Sequence, residues 1–250
     1  MDNDKYIGFT LIMLLIITYY VFFPPGQSIN NQDQVSNTEK DIVSKEEDIE
    51  VNQTSEFISQ EEGEKITLEN NLFTVEFNSR GGIIENVFLK NYINNNSEIV
   101  QLYNEKESVI NFKLSNQNIN FDNILFSYDV NKKSDNKILN FTSISNNGKK
   151  ITIKYQIDEN SYQINQSITL NEGFEDTDFI DLKWKNKPYH QELNTYNEKN
   201  QSTINYLDEN DNFDYLDYPS TEDESIEISN PIKWISFKQQ YFISSIITND

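Results

Sequence analysis

Apolar side chains recur at every second position after residue 64, and this period limits the fold more than any other feature of the sequence. The alternation is clear at Phe73, Val75 and Phe77. It returns in four further groups, each sharing one face: Ile124, Phe126, Tyr128 and Val130; Ile151, Ile153, Tyr155 and Ile157; Tyr162, Ile164, Ile168 and Leu170; Ile180, Leu182 and Trp184. A period of two over about four to eight residues is typical of strands with one buried face. The sequence therefore predicts a mainly β, predominantly antiparallel sandwich.

Turn signals separate several of the predicted strands. Asn147 and Gly148 precede one strand, and Glu172 and Gly173 follow another. Glycine in such pairs supplies the positive φ that tight hairpins require. A double glycine, Gly81-Gly82, likewise lies between two apolar stretches and predicts a turn or a bulge.

The segment after Asn230 is where helical spacing is most evident. Pro231 suits the first turn of a helix, and Asn230 suits its N-cap. Large side chains then recur at intervals of three and four on two adjacent sides: Ile232, Ile235, Gln239 and Phe242; Trp234, Phe237 and Tyr241. We therefore predict a short helix from Pro231, followed by a strand over residues 241–248.

Residues 6–23 form an uncharged, apolar run of eighteen residues. A helix of this length spans about 27 Å, close to the roughly 30 Å hydrocarbon core of a bilayer. A cleaved signal peptide would need a basic start and a small-residue cleavage site, whereas this run follows Asp2 and Asp4 and ends in large aromatics. A buried core helix of a soluble protein fits poorly, because the run is apolar on every face and lies at the extreme amino terminus. The sequence predicts an uncleaved transmembrane anchor, with these residues in or near the bilayer: Tyr6, Leu11, Leu14, Leu15, Tyr19, Tyr20 and Phe23.

Residues 24–63 are rich in Asn, Gln, Ser and acidic residues. Such a composition buries too little apolar surface to offset the entropy of folding, which favours a disordered linker. A flexible coil of this length reaches on the order of 35 Å. The predicted domain organisation is a short amino terminus (1–5), an anchor (6–23), an acidic linker (24–63) and a β domain (64–250).

Charge and cysteine content exclude several function classes. The chain carries 41 acidic and 20 basic residues, for a formal net charge of -21. Phosphate backbones are bound by a surplus of Lys and Arg, so we expect no nucleic-acid partner. With no cysteine, the chain has no disulfide, thiolate nucleophile or Cys-ligated zinc. Aromatic residues make up 13% of the chain, which fits a well-packed core.

Candidate chemical groups are few. His190 is the only histidine, and a single histidine in a polar loop is more typical of a surface residue than of a general base. Oxygen ligands alternate from Asp208 to Asp214, but a calcium loop needs Gly and Glu where this chain has Phe213 and Pro219. We therefore expect a solvated acidic loop there, no enzymatic activity and no cofactor.

Two motifs and their order along the chain resemble a known family. The residues concerned are Arg80, Gly81, Gly82, Leu89, Tyr92, Trp234, Gln239, Gln240, Tyr241 and Phe242. Together with the amino-terminal anchor and the acidic linker, they resemble the amino-terminal part of the YidC family of membrane protein insertases, in the form found in Bacteroidetes-like bacteria.

The resemblance implies a location in the bacterial inner membrane, with the amino terminus in the cytoplasm and the β domain in the periplasm. It implies a β-supersandwich similar to galactose mutarotase, which is incomplete at the carboxyl end of this chain. The family's hydrophilic insertion groove, formed by later transmembrane helices, would lie beyond this sequence. The implied partners are the lipid bilayer, the Sec translocon with its accessory subunits, and nascent membrane proteins.

Two side-chain roles follow as expectations. We expect Trp234, Phe237, Tyr241 and Phe242 to pack the predicted helix against the sandwich, and Arg80 to hold a carboxylate near the double-glycine turn. Two other classes of protein remain open at this point. One is a membrane-anchored sandwich that binds or epimerises carbohydrate, and the other is an anchored adhesin or assembly scaffold.

Overall fold

A computed structural model describes residues 57, 59–133, 135–171, 173–174, 177, 179–187, 189–218 and 223–248. All of them belong to one compact unit that spans residues 52–250. The predicted anchor at 6–23, including its seven named residues, lies outside the described part of the chain. Among the residues described, no helix combines the length and the apolar character that a membrane crossing requires.

The described chain is built almost entirely from strands. They are β1 (Lys65–Glu69), β2 (Phe73–Asn78), β3 (Ile83–Ile93), β4 (Ile99–Asn104), β5 (Val109–Leu114), β6 (Ile119–Asn120), β7 (Ser127–Lys132), β8 (Asn136–Ile144), β9 (Lys150–Asp158), β10 (Ile164–Leu170), β11 (Asp181–Lys185), β12 (Thr203–Asp208), β13 (Phe213–Asp217), β14 (Ile232–Lys238) and β15 (Ile243–Ile247). One α-helix, α1 (Thr195–Asn200), and two 3₁₀ turns, Ser115–Gln117 and Phe121–Asn123, accompany them within the described residues. The predicted mainly β class is confirmed.

Four antiparallel sheets result from strand pairing. The first has the order β1-β2-β3-β4, and the second β10-β9-β8-β7. The third is β11-β5-β6, and the fourth is β13-β12-β14-β15. Most pairs join neighbours in the sequence, as expected for sheets assembled from hairpins.

The core lies between the first and second sheets. The ring of Phe77 on β2 lies 4.7 Å from Tyr155 on β9 and 6.3 Å from Phe141 on β8, measured between ring centroids. All three side chains are buried. Phe112 of the third sheet joins the same core through Phe121, at 6.0 Å. Two sheets therefore pack face to face, with the third sheet closing one side.

The predicted alternation is confirmed most fully on central strands. On β9 the four alternate apolar residues beginning at Ile151 are all buried. Tyr128 on β7 and Leu182 on β11, which the same pattern assigns to a buried face, are exposed. Both strands lie at the edges of their sheets, where less of a side chain is covered by neighbours.

The helix predicted from Pro231 is wrong, because Ile232–Lys238 forms strand β14. This strand is paired with β12 on one side and β15 on the other, so its main chain is hydrogen-bonded along both edges. Its Ile, Trp and Phe residues also favour strands. The last residues that fitted the helical spacing, Gln239 to Phe242, lie in the turn between β14 and β15. There the Gln239 N–H donates to the Phe242 carbonyl at 2.7 Å. The strand predicted within residues 241–248 is confirmed as β15.

Candidate functional site

The Arg-Gly-Gly turn connects β2 to β3 and requires both glycines. Gly81 and Gly82 have φ values of 78° and 62°, in the region that side chains with a Cβ rarely adopt. A Cβ added to Gly82 would lie 2.8 Å from Cδ1 of Ile153. The buried Tyr155 hydroxyl donates to the Gly82 carbonyl at 2.8 Å. The turn is therefore fixed against the core by close contact as well as by its own conformation.

Arg80, at the start of this turn, binds main-chain carbonyls. Its Nη2 donates to the Ser59 carbonyl at 2.8 Å and to that of Glu61, and its Nη1 reaches the Asp122 carbonyl at 3.5 Å. The expected carboxylate is not among the acceptors that the described residues supply. Phe57, which the sequence assigns to the linker, is buried and stacks on Phe174 at 6.4 Å. Arg80 thus binds the incoming chain to the domain.

The two family motifs meet through an aromatic contact. Tyr92, near the end of β3, packs edge-on against Phe242, with ring centroids 5.7 Å apart. Leu89 on the same strand is buried in the core, and Phe242 is half-buried against it. Tyr241, in contrast, is 68% exposed, and its hydroxyl accepts a hydrogen bond from Gln240 at 3.0 Å. Phe242 is therefore one of the residues that join the fourth sheet to the sandwich.

Trp234 and Phe237 point to opposite faces of β14. Phe237 packs against Trp184 of the third sheet, at a centroid distance of 4.5 Å. Trp234 lies beside Phe213 of the same sheet, at 6.1 Å. Phe237 thus faces the rest of the domain, whereas Trp234 packs within the fourth sheet.

A buried carboxylate organises the turn that holds Gln239. Glu198 lies on α1, and its side chain is only 3% exposed. It accepts hydrogen bonds from the Gln191 N–H at 2.9 Å and from Nε2 of Gln239 at 3.4 Å. Gln239 Nε2 also donates to the Tyr189 carbonyl at 2.9 Å. Because a buried charge is costly without such donors, this cluster holds α1 and the β14–β15 turn in one arrangement.

His190 contacts the same carboxylate. Its Nδ1 lies 3.1 Å from Glu198 Oε2, and its side chain is 48% exposed. The arrangement is that of a structural ion pair or hydrogen bond at the rim of the cluster.

A series of side-chain hydrogen bonds extends this polar network across the first sheet. Nε2 of Gln191 donates to the Gln101 carbonyl at 2.9 Å. Gln101 in turn donates to Asn86, and Asn86 to Glu76, at 2.9 and 2.7 Å. Lys65 closes the series with a 3.1 Å bond to Glu76. Sequence reasoning missed this network because asparagine is so frequent that its positions carry little signal. Gln239 was the one member indicated by a motif.

The acidic loop from Asp208 is a hairpin turn closed by its own amides. The Asp208 carboxylate accepts from the main chains of Asn210 and Asn212 and from the side chains of Asn212 and Asn230, all at 2.9–3.0 Å. These donors, led by the Asn212 side chain, lower the pKa of Asp208 to about 2. The carboxylate that would begin a calcium loop is thus bound to amides.

One face of the fourth sheet carries apolar residues that remain partly or largely uncovered. Directly opposed residues share a face of an antiparallel sheet. The pairing places Phe213, Leu207, Trp234 and Ile247 in one row across all four strands. Tyr215 and Ile243 lie on the same face by their spacing of two or four residues. We call these six residues the aromatic face.

Two comparisons with known proteins bear on the family of the chain. The family model of the YidC periplasmic domain matches residues 65–250, which is the whole of the described β region from β1 onward. Because this model covers well over half of the sequence, the chain belongs to the YidC family.

Relatives named Membrane protein insertase YidC match along nearly the whole chain. Those from Amoebophilus asiaticus and Phocaeicola vulgatus are 26% and 23% identical, and each alignment covers 100% of this chain but 44% and 43% of the relative. The relative from Cytophaga hutchinsonii is 24% identical over 98% of the chain and 42% of its own length. The chain therefore spans less than half the length of these relatives.

Proposed function

We propose that this chain is the amino-terminal part of a membrane protein insertase, which aids insertion, folding and assembly of integral membrane proteins with or without the Sec translocon. Residues 6–23 anchor it in the bacterial inner membrane, with the amino terminus in the cytoplasm and the β domain in the periplasm. The observation that carries the proposal is the match of the YidC periplasmic domain to residues 65–250.

The physical role of such a chain is positioning. Insertion breaks no bond in its client, so it requires an environment that lowers the cost of moving polar groups into lipid. A single apolar span fixes the protein in the bilayer, and the β domain presents contact surfaces on one side of it. The partners are then the lipid bilayer, the Sec translocon with its accessory subunits, and nascent membrane proteins.

The topology can be tested with single cysteines, because the chain has none of its own. Asn3→Cys labels the amino terminus, and Ser225→Cys labels an exposed position of the β domain. In intact cells with a permeable outer membrane, a membrane-impermeant maleimide should modify only Ser225→Cys. After lysis it should modify both. Equal labelling in intact cells, or recovery of the chain in the aqueous extract, would contradict the anchored topology.

The insertase role can be tested in a chimera. The chain replaces the aligned amino-terminal region of the Phocaeicola vulgatus relative, and the fusion is expressed in cells depleted of their own insertase. We expect the chimera to restore insertion of a reporter membrane protein, measured by protease protection. A chimera that is stable and anchored but restores no insertion would contradict the proposal.

The carbohydrate alternative predicts binding of the β domain on a glycan array, whereas the insertase proposal predicts none. The scaffold alternative is separated by a control chimera that lacks residues 64–250, because the implied groove of either chimera comes from the relative. Equal insertion by this control would favour the scaffold alternative.

A further inference from the structure

Glu85 is a buried carboxylate at an irregular point of the first sheet. The pairing of β2 with β3 shifts by one residue there, which leaves Glu85 without a directly opposed partner on β2. Such a bulge redirects the side chain of the extra residue. The Glu85 side chain is only 5% exposed. Its carboxylate is therefore held where an ionised group needs hydrogen-bond donors.

The donors that reach this carboxylate satisfy one of its two oxygens. Nδ2 of Asn78 donates to Oε1 of Glu85. Oε2 is buried and accepts no hydrogen bond from the described residues. The ammonium of Lys65 lies 3.6 Å from Oε2, which is too far for a hydrogen bond, and it bonds Glu76 at 3.1 Å instead. A buried acceptor thus remains without a donor.

Glu105 lies opposite Glu85, directly after the end of β4. The register that pairs Asn86 with Asn104 continues by one pair, in which the Glu105 N–H donates to the Glu85 carbonyl at 2.8 Å. Opposed residues of an antiparallel pair share a face, with Cβ atoms about 5 Å apart. Two ionised carboxylates at this spacing repel each other and cannot donate, whereas a protonated carboxyl can donate.

The surrounding charges favour a proton at this position. Lys65 is shared among three carboxylates, those of Glu76, Glu85 and Glu105. Hydrogen bonding to Glu85, burial and the Glu85 charge raise the pKa of Glu105, and the opposing effects of Lys65 and Lys106 do not cancel this shift. Within the described part of the chain, no three acidic or imidazole groups are arranged to hold a metal ion. A proton is therefore the ligand that fits the pair.

We propose that Glu85 and Glu105 share one proton, which Glu105 donates to the Glu85 oxygen that otherwise lacks a donor. The shared proton fixes the turn at residues 105–108 to β3. In the same turn, Ser108 donates to the Asn186 side chain at 3.0 Å and accepts from the Lys187 N–H at 3.1 Å. When the proton is lost, repulsion between the two carboxylates loosens these contacts. The inference concerns a pH-sensitive contact and does not depend on the insertase activity.

Melting temperature against pH tests the shared proton in the purified full chain. The amide of Glu105→Gln can donate to Glu85 at any pH, so this variant should melt about 2–4 °C above the original chain near about pH 8. The raised pKa of Glu105 stabilises the folded chain below the ordinary value of about 4.3, and this contribution is lost as pH rises through the folded value. The two melting temperatures should therefore converge toward about pH 4.

The matched control is Glu227→Gln, which makes the same charge change at an exposed position outside the strands. Its difference from the original chain should not vary with pH. A difference between Glu105→Gln and the original chain that is equally independent of pH, or a lower melting temperature of Glu105→Gln near about pH 8, would overturn the proposal. So would a rise in melting temperature on adding calcium that is lost in Glu105→Gln, because the pair would then hold a cation.

Carbon-13 NMR of a chain labelled at the glutamate carboxyl carbons observes the proton directly. The resonance that is missing in Glu105→Gln belongs to Glu105. We expect it to titrate above the ordinary glutamate range in the original chain and within that range in Glu85→Gln, where the neighbouring charge is removed. Glu227→Gln should leave this titration unchanged. An ordinary titration of Glu105 in the original chain, or one that Glu85→Gln does not alter, would overturn the proposal.

Hydrogen exchange locates the structural consequence in the turn. The Ser108 N–H donates to the Asn104 carbonyl at 2.9 Å. After correction for the intrinsic exchange rate, we expect its protection to fall about tenfold between about pH 5 and about pH 8. The protection should not change with pH in Glu105→Gln, and β9 should stay protected in both chains. An equal loss of protection in the turn and in β9 would overturn the local role of the proton.

Discussion

The first two sheets and the fourth sheet are made of similar alternating strands, yet they bury their apolar residues to very different degrees. Phe77, Phe141 and Tyr155 are fully enclosed because each sheet covers the other. Phe213 and Ile247 also follow the alternation, but they lie on the two edge strands of the fourth sheet and are largely exposed. The comparison shows that alternation specifies which residues share a face, whereas burial depends on what lies opposite that face.

The largest expected difference between the two regions comes from replacing one phenylalanine in each. Phe141→Ala empties a position that contacts Phe77, Phe126 and Tyr155. We expect it to lower the free energy of unfolding by about 3–5 kcal/mol. Phe213→Ala, in the fourth sheet, should change it by less than about 0.5 kcal/mol. Chemical denaturation measures both, and similar losses would show that the aromatic face is covered in solution.

Backbone geometry at two turns gives the next largest effect. Gly82→Ala combines a positive φ with a Cβ 2.8 Å from Ile153, whereas Gly148 has a positive φ and open space around it. We expect losses of about 3 kcal/mol and about 1 kcal/mol, respectively, in the free energy of unfolding. Equal losses in thermal denaturation would mean that the Arg-Gly-Gly turn is not held close to the core.

Gln239 and Gln240 are adjacent, but only Gln239 takes part in the contacts that join the fourth sheet to the rest of the domain. Gln239→Ala removes a donor from the buried Glu198 carboxylate and should cost about 1–2 kcal/mol. Hydrogen exchange should accelerate in β14 and β15 while β8 and β9 stay protected. Gln240→Ala, whose side chain bonds exposed Tyr241, is the control and should alter neither. Uniform acceleration over all strands would show that the two regions unfold as one unit.

A smaller effect is expected where the chain enters the domain. Arg80→Ala removes three hydrogen bonds to carbonyls that water can partly replace, so we expect a loss of about 1 kcal/mol. Cleavage by a protease of broad specificity should increase within residues 59–64. Lys106→Ala, at an exposed position, should leave the cleavage rate unchanged. An unchanged melting temperature and cleavage rate in Arg80→Ala would contradict the role given to this residue.

The smallest effect concerns pH. The pKa of Asp208 is lowered in the folded chain to about 2, so its contribution to stability is present above its ordinary pKa near 4 and is lost as pH falls from there through about 2. Asp208→Asn should therefore flatten this part of the curve of melting temperature against pH. If the melting temperature of the variant falls with pH below about 4 as steeply as that of the original chain, the four amide donors do not bind the Asp208 carboxylate in solution.

The sequence could predict features that depend on local pattern. The strand faces at Phe73 and Ile151, and the hairpin at Gly148, needed only a period of two and a glycine. The strand at Ile232 was mistaken for a helix because its pairing partners, β12 and β15, lie on both sides and do not enter a local reading. Helix α1 is only six residues long, too short for a periodic signal. The buried carboxylate of Glu198 could not be foreseen, since it depends on the loop before α1 and on Gln239, which is 41 residues away in the sequence.

The contacts of Arg80 have a mechanical consequence. Its guanidinium donates hydrogen bonds to the Ser59 and Glu61 carbonyls just before the chain enters β1. A pulling force applied from the amino-terminal side would act first on these hydrogen bonds and on the stacked Phe57, and only then on the hydrogen bonds between β1 and β2. The Arg80 guanidinium therefore protects the β1–β2 pairing from force applied to the residues that precede the domain.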